Sequence, residues 1–123
     1  VYIHPARYTQ EFMEKYDTFT VSFFSESHRK ALGYLGSHSG RDENKVANSG
    51  LTPVVAGDGV TFKEAELTFV CKKLYEHQFD EAYLAEKVKD YYASNPAVYT
   101  QAGHDRWEPH YMYIGEVVDA IED

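Results

Sequence analysis

Two short segments carry the residues best suited to bind or transform a ligand. Gly36-Ser37-His38-Ser39-Gly40-Arg41-Asp42-Glu43-Asn44-Lys45 combines small residues, which let backbone approach a flat or anionic group, with the donors of Ser37, Ser39, Arg41 and Lys45. His38 is the member of this set whose ordinary titration lies near neutrality. A polar loop between two helices has the same composition, so the pattern is weak alone. The second segment, His4-Pro5-Ala6-Arg7-Tyr8-Thr9, sits at a strand-to-helix junction. The first N–H groups of a helix welcome an anion, and Arg7 adds a charged fork. A capped helix with a surface arginine accounts for the same residues.

Other chemistry finds less support. There is no G-x-G-x-x-G, no G-x-x-x-x-G-K-[ST] and no G-x-S-x-G. His4, His28, His38, His77, His104 and His110 lack H-E-x-x-H or C-x-x-C partner spacing. His104, Asp105, Glu108 and His110 stand close in sequence, but loop residues facing water explain them without a metal, which needs three or four converging ligands. Cys71 lies in an apolar strand pattern, with nothing adjacent to lower its pKa, and reads as a small buried hydrophobe.

The elements that must position these residues belong to a chain of 123 residues, the length of one domain. With 43% apolar and 26% charged residues it has an ordinary globular balance, which argues against disorder. No apolar run approaches the roughly 20 residues of a membrane-spanning helix, and no secretory signal pattern opens the chain. Its net charge of −8 is a poor balance for gripping nucleic acid. A single cysteine allows no internal disulfide, which fits a reducing, cytoplasmic compartment. Aromatic residues reach 15%, with eleven tyrosines, which suits strands or a surface that stacks on flat ligands. The chain opens on the β-type run Val1-Tyr2-Ile3 without an initiator methionine, and the expectation is that upstream sequence is missing.

Val1–Ile3 reads as a strand stopped by Pro5, followed by a helix from a Thr9 cap to about Tyr16, with Phe12, Met13 and Tyr16 inward. Thr18–Phe24 alternates as a half-buried strand. Ser25 or Ser27 opens a helix to about Leu35, which Gly36 is placed to end. Asp42 caps a short helix to Asn48, with Gly50 in the left-handed position beyond it. Gly57-Asp58-Gly59 is a hairpin turn. Ala65–Phe79 is one long strand with Leu67, Phe69 and Cys71 on one face; Asp80–Tyr92 is helical with Leu84, Val88 and Tyr91/Tyr92 in line; Ser94–Pro109 is a loop; Tyr111–Ile121 is the last strand. Strands without βα regularity predict an antiparallel barrel or α+β fold.

The run GSHSGRDENKVANSGLTPV, with RYTQEF upstream and HYMYIGEV near the end, resembles the flavin reductase-like, FMN-binding split-barrel family, also described as flavoredoxin-like. S-G-R-D-x-x-K followed by G-L-T-P is fairly specific, while R-Y-T-x-E-F and Y-I-G-E support it. The resemblance runs from about Val1 to Glu76 and resumes at about His110, leaving 80–109 as a variable helix and loop insertion. It implies a single domain over 1–123, mainly β (a β-rich α+β fold): an antiparallel split β-barrel with flanking helices, lacking its N-terminal strands in this chain. Relatives carry an N-T-M-T-x-S-W type segment upstream that is absent here, so a chain truly starting at Val1 is expected to hold FMN feebly.

The resemblance further implies a homodimer with FMN at the subunit interface. It implies an oxidoreductase of the flavin reductase type, passing reducing equivalents between NAD(P)H and flavin. The alternative is a flavoredoxin-like electron carrier or FMN store without NAD(P)H turnover, and a third reading is a flavin-free interaction protein. Arg7, Tyr8 and Thr9 would support the phosphate or ribityl side. Ser37, His38, Ser39, Gly40, Arg41 and Lys45 would line the flavin or its reductant, with His38 a speculative catalytic group. No general base is expected, because flavin chemistry resides in the cofactor.

Overall fold

The structure is a computed structural model that describes residues 1–122. Six strands and five α-helices alternate irregularly along it. The strands β1 (Tyr2–Ile3), β2 (Thr18–Phe23), β5 (Leu67–Gln78) and β6 (Tyr111–Glu122) form one sheet in the order β1-β6-β5-β2, and β3 (Pro53–Ala56) pairs with β4 (Gly59–Phe62) in a second. The registers assigned to β1–β6, β2–β5 and β3–β4 are all antiparallel. The chain divides into two compact units, Val1–Lys15 with Leu74–Ile114, and Tyr16–Lys73 with the chain from Gly115 onward.

In the first unit β1 meets β6 with Tyr2 opposite Met112 and Ile3 opposite Tyr111. Helix α1 (Tyr8–Lys15) starts a residue before the predicted Thr9 cap. The reason is His4: its Nδ1 takes the Ala6 N–H at 3.0 Å, while the Arg7 N–H donates to the His4 carbonyl, so the chain has turned by residue 7. The Gln10 N–H then donates to the Arg7 carbonyl, and Thr9 lies inside the helix. Of the predicted inward stripe only Met13 is buried, with Gln10 beside it, whereas Phe12 and Tyr16 are exposed. The predicted helix over Asp80–Tyr92 is broken into a 3₁₀ turn (Glu81–Tyr83) and α4 (Glu86–Ser94), which buries Tyr92 and leaves Tyr91 exposed. The predicted loop beyond it contains α5 (Pro96–Tyr99), with proline at its first position where a missing N–H is harmless. Tyr113 is the fully buried residue of this core, at 0% exposure.

In the second unit β2 runs against β5 with Phe19 opposite Cys71 and Val21 opposite Phe69. The β3–β4 hairpin turns where expected but over two residues, Gly57 and Asp58, because Gly59 already pairs with Ala56 as the first residue of β4; Gly57 has a φ of 59° that an L side chain resists. Hydroxyls tie it to β2: Thr20 Oγ1 donates to the Val60 carbonyl at 2.5 Å, and Ser22 Oγ lies 2.8 Å from Thr61 Oγ1. Buried residues of β5 are Thr68, Val70 and Cys71, with the predicted Leu67 and Phe69 only half-buried. Burial raises the Cys71 thiol pKa, consistent with the packing role expected of it.

Candidate functional site

The sequence-predicted residues divide between the units. Arg7, Tyr8 and Thr9 belong to the first; Ser37, His38, Ser39, Gly40, Arg41 and Lys45 belong to the second.

At the start of α1, Arg7 and Thr9 are exposed, and Tyr8 packs edge-on against Phe12 at 4.9 Å between ring centroids. Arg7 takes the cap position through its backbone, which leaves its guanidinium exposed beside the N-terminal turn. That juxtaposition suits an anion.

In the second unit the chain passes from α2 (Arg29–Ser37) through a loop to α3 (Lys45–Ser49). Gly36 lies inside α2, which ends at Ser37. The cap of α3 is Asn44 and not Asp42: its Oδ1 accepts from the Ala47 N–H at 3.2 Å, and Gly50 closes the helix at φ 82°. His38, just past the end of α2, folds back one turn so that its imidazole stacks on Tyr34, 3.9 Å between centroids and 16° from parallel. His38 Nδ1 is 2.9 Å from the Tyr34 carbonyl and 3.0 Å from Ser37 Oγ. A carbonyl only accepts, so the neutral ring carries its proton on Nδ1 and keeps Nε2 as an acceptor. The Tyr34 hydroxyl donates to Glu43 Oε1 at 2.5 Å, which raises the phenol pKa.

Lys45 has a different part from the one its sequence position suggested. Its ammonium donates to the carbonyls of Leu35 at 2.8 Å and His38 at 3.1 Å, satisfying groups that the end of α2 leaves over. Ser37 Oγ likewise donates to the Gly33 carbonyl. Ser39 Oγ accepts the Arg41 N–H at 3.2 Å, and its carbonyl accepts the Asp42 N–H, which shapes the turn that presents Arg41 at the surface. Lys45, Ser37 and Ser39 thus build the loop that carries Gly40, Arg41 and the His38 ring. The Arg41 cation and the His38 Nε2 acceptor are of the kinds that the phosphate and the N–H of a flavin nucleotide can pair with.

Sequence reasoning missed a cluster in the first unit, where His4, Tyr92, Tyr99, Trp107, Glu108 and His110 come together. Tyr92 stacks on Trp107 at 5.0 Å and 3°, His4 lies 4.9 Å from both Tyr99 and His110, and His4 Nε2 is 2.6 Å from the Glu108 carbonyl. Glu108 Oε2, buried, sits 2.9 Å from His104 Nδ1 without hydrogen-bond geometry. Among the described residues no group of three or more His, Cys, Asp or Glu could hold a metal ion, and no helix is long and apolar enough to cross a membrane.

Comparison with known proteins decides the family. The family described as Flavin reductase like domain matches residues 1–123. The chain belongs to it. Among solved structures it is similar to an FMN-binding protein from Thermus thermophilus, with 23% identity, a TM-score of 0.70, and 99% of this chain aligned to 52% of that one. A flavoredoxin from Methanosarcina acetivorans gives 21% identity, a TM-score of 0.70, and 100% against 51%. Nitrilotriacetate monooxygenase component B from Bacillus cereus gives 17% identity, a TM-score of 0.68, and 98% against 52%. The chain thus spans about half the length of these structures. No curated protein matches. The antiparallel sheets and packed helices of this flavin reductase-like domain are those of the family's split-barrel α+β fold, as expected from the sequence.

Proposed function

We propose that this flavin reductase-like domain binds FMN over residues 1–123 and serves an oxidoreductase of the flavin reductase type, exchanging reducing equivalents with NAD(P)H. The observation that carries the reading is the family match along the whole chain, joined to structural neighbours described as FMN-binding. When bound, the flavin supplies the hydride and electron chemistry. The chain's residues bind and orient. Arg41, set by the Ser39 turn, offers a charged hydrogen bond to a phosphate or ring carbonyl, and Arg7 with Thr9 offers the same at the start of α1. His38, locked by Tyr34 and Lys45, presents Nε2 as an acceptor toward the ligand or the nicotinamide. Homodimerisation in the cytoplasm belongs to the same reading. It is supported by the exposed apolar residues Val55, Val60, Val117 and Val118 of the second unit, which association would cover.

Titrating the full-length protein with FMN should quench flavin fluorescence, and NADH or NADPH consumption with FMN should exceed that of free FMN. Absence of flavin binding would leave the interaction-protein reading. Binding without nicotinamide consumption would favour the electron carrier, a reading supported by the flavoredoxins among the structural neighbours. Light scattering should give twice the chain mass, and a mass of one chain would overturn the dimer.

A further inference from the structure

We propose that His4 and His110 form a pH-sensitive clasp that holds α4, α5 and the loop to Pro109 in place at neutral pH and releases them when the rings take up protons.

His4 is 3% exposed and accepts the Ala6 N–H at Nδ1, so its one proton lies on Nε2, directed at the Glu108 carbonyl 2.6 Å away. A second proton on Nδ1 would face the Ala6 N–H, donor against donor. His110 is built for the same state. The Tyr92 hydroxyl accepts the His110 backbone N–H at 3.1 Å and, with the neutral ring protonated on Nε2, donates its own proton to His110 Nδ1 at 2.5 Å. Protonating that nitrogen removes the acceptor of the phenol. The two rings meet edge to face at 4.9 Å, where two positive charges would repel.

The groups facing the pair give little compensation. Arg7 brings a positive charge, the Tyr92 and Tyr99 rings bring no acid group, and the Glu108 side chain lies against His104. Burial lowers the pKa of both imidazoles, helped at His4 by Arg7 and at His110 by His4 and Arg7, against smaller raising effects of Glu108 on His4. The unfolded rings take protons near their ordinary value of 6.5, so the clasp is fully stabilising above that pH. Its contribution falls as pH drops from there through the lower values of the folded state. What it fastens is specific: residues 4–6 on one side, and Tyr92 of α4, Tyr99 of α5 and Glu108 on the other.

Trp107, the one tryptophan of the chain, is buried against Tyr92 and reports on the clasp directly. Lowering the pH of the full-length protein from 8 to 5 should red-shift its emission in one transition centred below 6.5. Amide exchange in α4 and α5 should accelerate about tenfold relative to β2 over the same range, as local opening requires. His104→Gln should keep the transition, and the double variant His4→Gln/His110→Gln should show emission independent of pH. A transition that survives in the double variant would overturn the clasp, as would β2 amides opening in step with α4. Should the double variant not fold, proton resonances of the wild-type histidines replace it. Titration of His4 and His110 in step with Trp107 supports the clasp, and their titration with Trp107 unmoved refutes it.

Discussion

The ring of Phe19 occupies the space that a side chain at Gly115 would need. A Cβ there would stand 2.6 Å from Phe19 Cζ, 2.9 Å from Cε1 and 3.0 Å from Cys71 Cβ. This close approach is what the glycine of the Y-I-G-E motif provides. Gly115→Ala should therefore destabilise by about 1–3 kcal/mol, the cost of overpacking. Adding Phe19→Leu should recover part of the loss in urea denaturation. An unchanged midpoint in Gly115→Ala would mean that Phe19 turns aside freely.

Tyr113 lies in the other unit with its hydroxyl donating to Glu14 Oε1 at 2.7 Å and within 3.4 Å of Gln10 Nε2. Burial, then the bond to Glu14, drives its phenol pKa far above the ordinary value. Tyr113→Phe should cost about 1.5–3 kcal/mol, the worth of a hydrogen bond to a charged group. Gln10 still reaches Glu14 at 3.0 Å in that variant, so the loss belongs to the phenol. Equilibrium denaturation with both chains at pH 7.5 measures it.

Thr61 is the middle of a buried hydroxyl chain, 2.8 Å from Ser22 Oγ and 2.6 Å from Thr68 Oγ1. Ser22 and Thr68 are 3.4 Å apart and bond only weakly without it. Thr61→Val should cost about 1–3 kcal/mol by stranding the buried Thr68 hydroxyl, and adding Thr68→Val should cost little more, because only the half-buried Ser22 hydroxyl is then left without these partners. Strictly additive losses in the double-mutant cycle would show that the hydroxyls act independently.

Arg41 and Lys45 stand four residues apart and should behave oppositely. Arg41→Ala should weaken FMN binding about tenfold or more, the loss of a charged hydrogen bond, and should harm binding more than it lowers the melting temperature. Lys45→Ala removes the donor shared by the Leu35 and His38 carbonyls. It should lower the melting temperature and fray the end of α2, reducing FMN affinity only through the loosened His38 loop. Paired flavin titrations and thermal melts separate the two, and a melting loss confined to Arg41→Ala would reverse the assignment.

The sequence alone carried what repeats over short distances. The strand at Thr18–Phe23, the turn at Gly57, the long runs of β5 and β6 and the left-handed Gly50 were all legible, because extended runs and a turn's positive φ are local properties, although burial along β2 does not alternate and Phe23 is exposed. The loop motif likewise pointed to the family that the comparison confirms. Helix limits were less legible, because side chains took other partners: Ser25 holds the cap position of a 3₁₀ turn over Glu26–His28 but its Oγ pairs with Ser27 and makes no capping bond, and His4 moves the start of α1. The part Lys45 plays in the loop was decided in three dimensions. Lys45 and Arg41 are both cations in one short segment, and only folding shows that Lys45 spends its donors on the end of α2. The clasp had no local signal at all. His4 and Glu108 are 104 residues apart, and nothing in the types of two distant residues foretells that burial will leave each with the other as its nearest polar partner.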